Sequence, residues 1–169
     1  MPHHALSASP ASPTVRAGLQ NAIALHQRGQ LAEAEQLYRN ILELSPDDFD
    51  AAHLLGIVLL QRHQFIEGEQ LIAKALKTKP NDPSPRNNRS NALRSLKRFD
   101  EAVASYDIAI ALKPDYAEAF YNRGNALKQF ERLDEALASY DRALTLRPDY
   151  GYDVIARVQA SCSYPPWRE

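Results

Sequence analysis

The sequence predicts an all-α protein, a solenoid of antiparallel helical hairpins, and three observations predict it. Pro46, Pro80, Pro114 and Pro148 are evenly spaced, so the chain repeats itself with a 34-residue period. Every interval holds two stretches of 3.6-residue apolar periodicity, parted by a short polar break such as Arg28-Gly29-Gln30 or Glu131-Arg132. Small residues recur at two fixed places: Ala22, Gly56, Ser90 and Gly124 at the eighth position of each unit, and Ala34, Gly68, Ala102 and Ala136 at the twentieth. Two antiparallel helices approach closely only where their side chains are small, so these positions mark the helix crossings.

The elements follow in chain order. Residues 1–14, rich in Ala, Ser, Pro and His, are expected to form a flexible N-terminal tail. They carry no basic leader and no apolar stretch of the kind a secretory signal needs. His3 and His4 are read as incidental rather than as a metal site. Four units span residues 15–150 without insertion: Val15 to Asp48, Phe49 to Asp82, Pro83 to Tyr116 and Ala117 to Tyr150. Leu25, Leu59, Leu93 and Leu127 on the first helices are expected to fill the core with Tyr38, Ile72, Tyr106 and Tyr140 on the second. Asp100 and Asp134 are expected to cap the second helices, with Glu33, Glu67, Glu101 and Glu135 placing negative charge near their positive ends. Each proline then stops the second helix, because it lacks an N–H and restricts the residue before it. Residues 151–169 are expected to supply a C-terminal capping helix and a short tail. Gly151 to Tyr164 has the length of another first helix, with Val154, Arg157 and Val158 in register and Pro165-Pro166 ending it. Val158 stands where a small residue is usual and Ser161 where leucine is usual, so this packing should be looser than that within the array.

Bulk properties exclude several classes. At 169 residues and 44% apolar content the chain can bury a substantial core. Its 20 basic and 21 acidic residues leave a net charge of -1, which gives no overall field to draw nucleic acid or an acidic membrane. The longest apolar stretch, Leu54 to Leu60, is far short of the roughly 20 residues that cross a bilayer as a helix. Cys162 is the sole cysteine, so no internal disulfide forms and a cytoplasmic address is the default expectation. It has no neighbouring activating residue that would mark a reactive thiol. No phosphate-cradling glycine motif, paired cysteines or His-Glu-x-x-His helix is present, and no cofactor or catalytic residue is predicted. Asp47, Asp48 and Asp50 read as a solvated turn and the start of the next helix rather than as a cation loop.

The fourth unit, AEAFYNRGNALKQFERLDEALASYDRALTLRPDY, resembles a tetratricopeptide repeat at Phe120, Gly124, Leu127, Ala136, Tyr140, Ala143 and Pro148. The third follows the same pattern with Arg86 in the aromatic position and Ser90 in place of glycine, the second has Gly68 for alanine, and the first has Gly18 and Ile41 at departures of its own. The resemblance implies a right-handed superhelical solenoid in which the first helix of every unit lines a concave groove.

On that expectation the groove is the place to look for function. Asn87, Asn88, Asn91 and Arg94, then Tyr121, Asn122, Asn125 and Lys128, recur at spacings of three and four on the first helices of the last two units. Asparagine offers a donor and an acceptor, so such a row suits the backbone of an extended peptide. The expected function is a non-catalytic adaptor that binds a peptide or helix there. The first two units place Leu19 and Ile23, then His53, Leu54, Ile57 and Leu60, at the equivalent positions, which would suit an amphipathic helix, a second copy or simply core packing. A homo-oligomer or self-assembling scaffold is therefore an alternative. The clamp that co-chaperone modules use on a chaperone's C-terminal carboxylate is absent, since His53, Ile57, Asn88, Glu118 and Asn122 occupy its places and Glu118 would repel a carboxylate. Asn88 and Asn122 are similar to the asparagine ladder of O-linked N-acetylglucosamine transferases, which implies a second alternative, a detached substrate-recruiting portion of such a system.

Overall fold

The computed structural model describes residues 13–148, and all regular structure within them is helical. The chain divides into two compact units at Pro80 and Asn81. The first holds α1 (Pro13–Gln27), α2 (Leu31–Leu44), α3 (Phe49–Gln61) and α4 (Phe65–Thr78). The second holds α5 (Pro83–Ser95), α6 (Phe99–Leu112), α7 (Ala117–Gln129) and α8 (Leu133–Leu146). In each, two helical hairpins stack so that the second helix of one packs on the first helix of the next, which is solenoid architecture. Among the described residues no helix is long and apolar enough to cross a membrane.

The break inside every hairpin has one geometry. Gly29, His63, Lys97 and Glu131, which hold the same place in successive repeats, all take left-handed backbone, with φ between 59° and 76°. The amide of the following residue then reaches back to a leucine carbonyl: Gln30 to Leu25 at 3.0 Å, Gln64 to Leu59 at 2.8 Å, Arg98 to Leu93 and Arg132 to Leu127 at 2.9 Å. This is a Schellman termination, and it satisfies carbonyls that the helix end would otherwise leave bare. Only the first of the four turns uses the glycine that such backbone favours.

The capping differs from the sequence expectation. Asp100 and Asp134 are not N-caps: α6 and α8 begin at Phe99 and Leu133, so both aspartates are already second residues of their helices. The cap positions are Arg98 and Arg132, and they carry no side-chain cap bond. The Schellman turn delivers the chain into the helix two residues earlier than a capping aspartate would need. The arginines instead grip Glu101 and Glu135 with paired bonds of 2.6 and 2.7 Å, and these hold both carboxyls below the usual carboxylate range. Aspartate capping occurs instead at the junctions before α3 and α5. Asp48 accepts from the Ala51 amide at 2.8 Å, and Asp82 accepts from the Ser84 amide at 3.0 Å with Pro83 opening the helix.

Within each unit the core sits between the helices of a hairpin and between its two hairpins. Tyr38, Ile72, Tyr106, Leu59, Leu93 and Leu127 are fully buried, whereas Leu25 is half-buried at the rim of the first core. Close approach explains the small residues. A Cβ on Gly124 would lie 2.5 Å from Cε1 of Tyr140, and one on Gly56 would lie 2.5 Å from Cγ1 of Ile72. Neither neighbour sits on a free surface, so the second helix would have to move away.

Candidate functional site

The eight residues expected to line a groove all lie on α5 and α7 of the second unit. The structure sorts them into three groups.

Asn91 and Asn125 face inward. The Tyr106 hydroxyl donates to Oδ1 of Asn91 at 2.5 Å, and the Tyr140 hydroxyl donates to Oδ1 of Asn125 at 3.0 Å. Both tyrosines are buried, with exposures of 0% and 2%, so each asparagine supplies the acceptor that a hydroxyl removed from water requires. The two bonds occupy the same place in successive repeats and tie the first helix of a hairpin to its second. Burial raises the Tyr106 hydroxyl well above the usual tyrosine range, with the nearby Arg94 pulling it partly back.

Asn87 is wholly buried and joins α5 to α7. Its Nδ2 donates to Oε1 of Glu118 at 3.0 Å, and its Oδ1 accepts from Nδ2 of Asn122 at 3.3 Å. Tyr116 is in the same cluster: burial raises its hydroxyl, while hydrogen bonds with Ser84 and Asn87 oppose that rise. Glu118, Tyr116 and Ser84 were not among the predicted groove residues. Their signal in the sequence is positional only, at the loop and first turn that open each first helix.

Asn88, Arg94, Tyr121, Asn122 and Lys128 remain partly exposed on this side of the unit. Tyr121 lies against the core, its ring 6.0 Å from that of Tyr140. Arg94 buries its Nε without a hydrogen-bond partner while its side chain interacts with the Tyr106 hydroxyl. The partly exposed set therefore comprises two amide-bearing positions, Asn88 and Asn122, the aromatic ring of Tyr121, and two cationic groups, Arg94 and Lys128.

The apolar stripe of the first unit is largely packing. Leu19, Ile23 and Leu54 are half-buried against the first core, and His53 is buried. Leu60 lies over Gly68, where an added Cβ would come within 2.8 Å of its Cδ2. With Ile23 in the place of Asn91 and Asn125, the buried Tyr38 hydroxyl has no hydrogen-bond partner, and burial pushes it up to about 12. Among the described residues no group of three His, Cys, Asp or Glu side chains could hold a metal ion, and Asp48 is engaged as a cap. His3, His4, Cys162 and the expected C-terminal helix lie outside the described residues.

Comparison with known proteins gives a consistent answer. A family model described as TPR repeat matches residues 90–130, and two described as Tetratricopeptide repeat match residues 25–87 and 117–150. No curated protein matches the chain. Among solved structures, MamA MSR-1 is 26% identical with a TM-score of 0.71, covering 80% of this chain and 78% of that chain. MamA AMB-1 is 28% identical with a TM-score of 0.68, covering 78% of this chain and 72% of that chain. MamA 41-end from Desulfovibrio magneticus RS-1, at 18% identity, shares the fold with a TM-score of 0.75 and covers 80% of this chain and 76% of that chain. The regular repeat period, the eight described helices and the three matching repeat models together make this chain a member of the tetratricopeptide-repeat proteins.

Proposed function

We propose that this protein is a non-catalytic adaptor that binds an extended peptide along the α5–α7 face of its second unit. A protein-interaction role at the coarser level is what the repeat matches and the MamA-like structures support. The observation that carries the finer reading is the Asn87–Asn122 bond. It fixes one amide-bearing side chain of α7 to a buried residue of α5, so Asn122 and its repeat-mate Asn88 are presented at a set separation. An amide pair held in this way can donate to and accept from a peptide backbone with little ordering cost on the protein's side. Tyr121, half-buried on the same helix as Asn122, offers an apolar ring surface, and Arg94 and Lys128 favour a peptide with acidic character at one end. Asn91 and Asn125 are left out of this role because their acceptors serve the buried tyrosines.

The test is a peptide-array screen followed by fluorescence anisotropy on the peptides retained. Replacing Asn88 and Asn122 together by alanine should weaken binding at least tenfold while circular dichroism and melting temperature stay close to native. Retained affinity in a folded Asn88→Ala/Asn122→Ala protein would move the binding surface elsewhere.

A further inference from the structure

One carboxylate fixes the direction of two amides on the α5–α7 face. Glu118 is exposed in the first turn of α7, and a carboxylate only accepts, so Asn87 turns its Nδ2 toward Oε1 at 3.0 Å. Oδ1 of Asn87 is then the acceptor on its other side, and Asn122 answers with Nδ2 at 3.3 Å. Asn122 thus spends an N–H on Asn87 and keeps its carbonyl oxygen, one turn along α7 from a carboxylate that is held by a neutral amide rather than by a cation. This end of the face offers acceptors and negative charge. The opposite end offers positive charge: Lys128 stands in the last turn of α7, and its repeat-mate Arg94 stands in the last turn of α5 beside the neutral Tyr106 hydroxyl.

We infer, on the peptide-binding reading of this same face, that the peptide carries a lysine or arginine at the Glu118–Asn122 end and an aspartate or glutamate at the Arg94–Lys128 end, about four or five residues apart. Helix geometry sets that spacing. From Glu118 to Lys128 the α7 axis rises roughly 15 Å at about 1.5 Å per residue. An extended chain laid along it advances about 3.3 Å per residue. An ammonium group has N–H donors enough for the Glu118 carboxylate and the Asn122 carbonyl together, and a carboxylate matches the fork of the Arg94 guanidinium. A peptide of one charge sign meets repulsion at one end of the face or the other.

Fluorescence anisotropy on the full chain tests this with acetylated, amidated peptides of glycine and serine that carry one lysine and one glutamate at graded separations, in both chain orders. Affinity in one order should peak at a separation of about four or five residues. Replacing lysine by norleucine, or glutamate by glutamine, in that peptide should weaken binding about fivefold. Glu118→Gln, which keeps an oxygen for Asn87, should erase the advantage of lysine over norleucine and leave the norleucine peptide bound as before. Arg94→Gln with Lys128→Gln should erase the advantage of glutamate over glutamine. Binding that is lost in Asn88→Ala/Asn122→Ala yet indifferent to charge and separation, or tightest for peptides bearing only carboxylates, would overturn this inference and leave the peptide-binding reading standing. Binding untouched by Asn88→Ala/Asn122→Ala, or no binding of any of the peptides, would overturn both.

Discussion

Tyr140 donates its hydroxyl to Asn125, which lies 15 residues earlier on the partner helix of the same hairpin. Tyr106 and Asn91 repeat the arrangement. Ile57 and Ile72 occupy these two positions in the second repeat, an apolar pair for a polar one, and the first repeat mixes the two by facing Tyr38 with Ile23. The tyrosine hydroxyl and the asparagine amide are therefore one structural feature spread over two helices.

Removing the acceptor should cost more than removing both partners. Asn125→Ala takes from the buried Tyr140 hydroxyl the acceptor it donates to, a loss of about 1–3 kcal/mol, whereas Asn125→Ala with Tyr140→Phe should recover part of it. Urea denaturation of the two variants beside the native protein measures the difference.

The first repeat should respond in the opposite direction. Tyr38→Phe removes a buried hydroxyl that has no partner, so it should stabilise the fold by about 1 kcal/mol. Tyr106→Phe, which strands Asn91, should destabilise it. Thermal melts of the two variants at neutral pH distinguish these signs.

Alkaline pH should expose the same tyrosine. Tyr38 in the folded chain keeps its proton up to about 12, while in the unfolded chain it ionises near 10. Its raised value therefore contributes stability that is present below pH 10 and is lost as pH rises from 10 through 12. Native protein should lose stability more steeply than Tyr38→Phe over that window, measured by urea midpoints at closely spaced pH values.

The left-handed turns predict gains as well as losses. Lys97 and Glu131 hold φ of 59° and 60°, backbone that costs an L-residue on the order of 1 kcal/mol. Lys97→Gly and Glu131→Gly should each raise the melting temperature, and Gly29→Ala should lower it. Differential scanning calorimetry on the three single variants is sufficient.

Crowding at the helix crossings gives a graded series. Gly124→Ala places a methyl group 2.5 Å from the Tyr140 ring and should cost about 1–3 kcal/mol, while Gly18→Ala meets nothing nearer than 3.7 Å and should be tolerated. Denaturant midpoints for the pair check the ordering.

Much of the fold was legible in the sequence because a regular period repeats each local signal four times. The prolines located the ends of the second helices, Arg28-Gly29-Gln30 located a turn, and small residues located the crossings. Left-handed backbone at His63, Lys97 and Glu131 was not legible, since none of these residues advertises it; only their alignment with Gly29 does. The capping aspartates were misplaced for a related reason. Asp100 and Asp134 have the right chemistry, but a turn closed by its own backbone leaves the cap position to arginine. The groove was harder still. Helical spacing puts Asn87, Asn88, Asn91, Asn122 and Asn125 on neighbouring faces, yet which amide points inward depends on a tyrosine from another helix. One signal could have separated Asn91 and Asn125 from Asn88 and Asn122. Asparagine appears at their place only where the second helix of the same hairpin carries a core tyrosine, and the one such tyrosine without it is Tyr38, which faces Ile23.

The bond between each asparagine and its tyrosine never leaves the hairpin, and that bears on how such an array changes over time. A duplication that copies one whole repeat carries both members along, so the new copy arrives already matched. A point change at either place does not, and leaves a mismatched hairpin until its counterpart follows. The Ile23–Tyr38 hairpin is a mismatched pair of this kind, and Ile23→Asn or Tyr38→Phe would each match it by a different route.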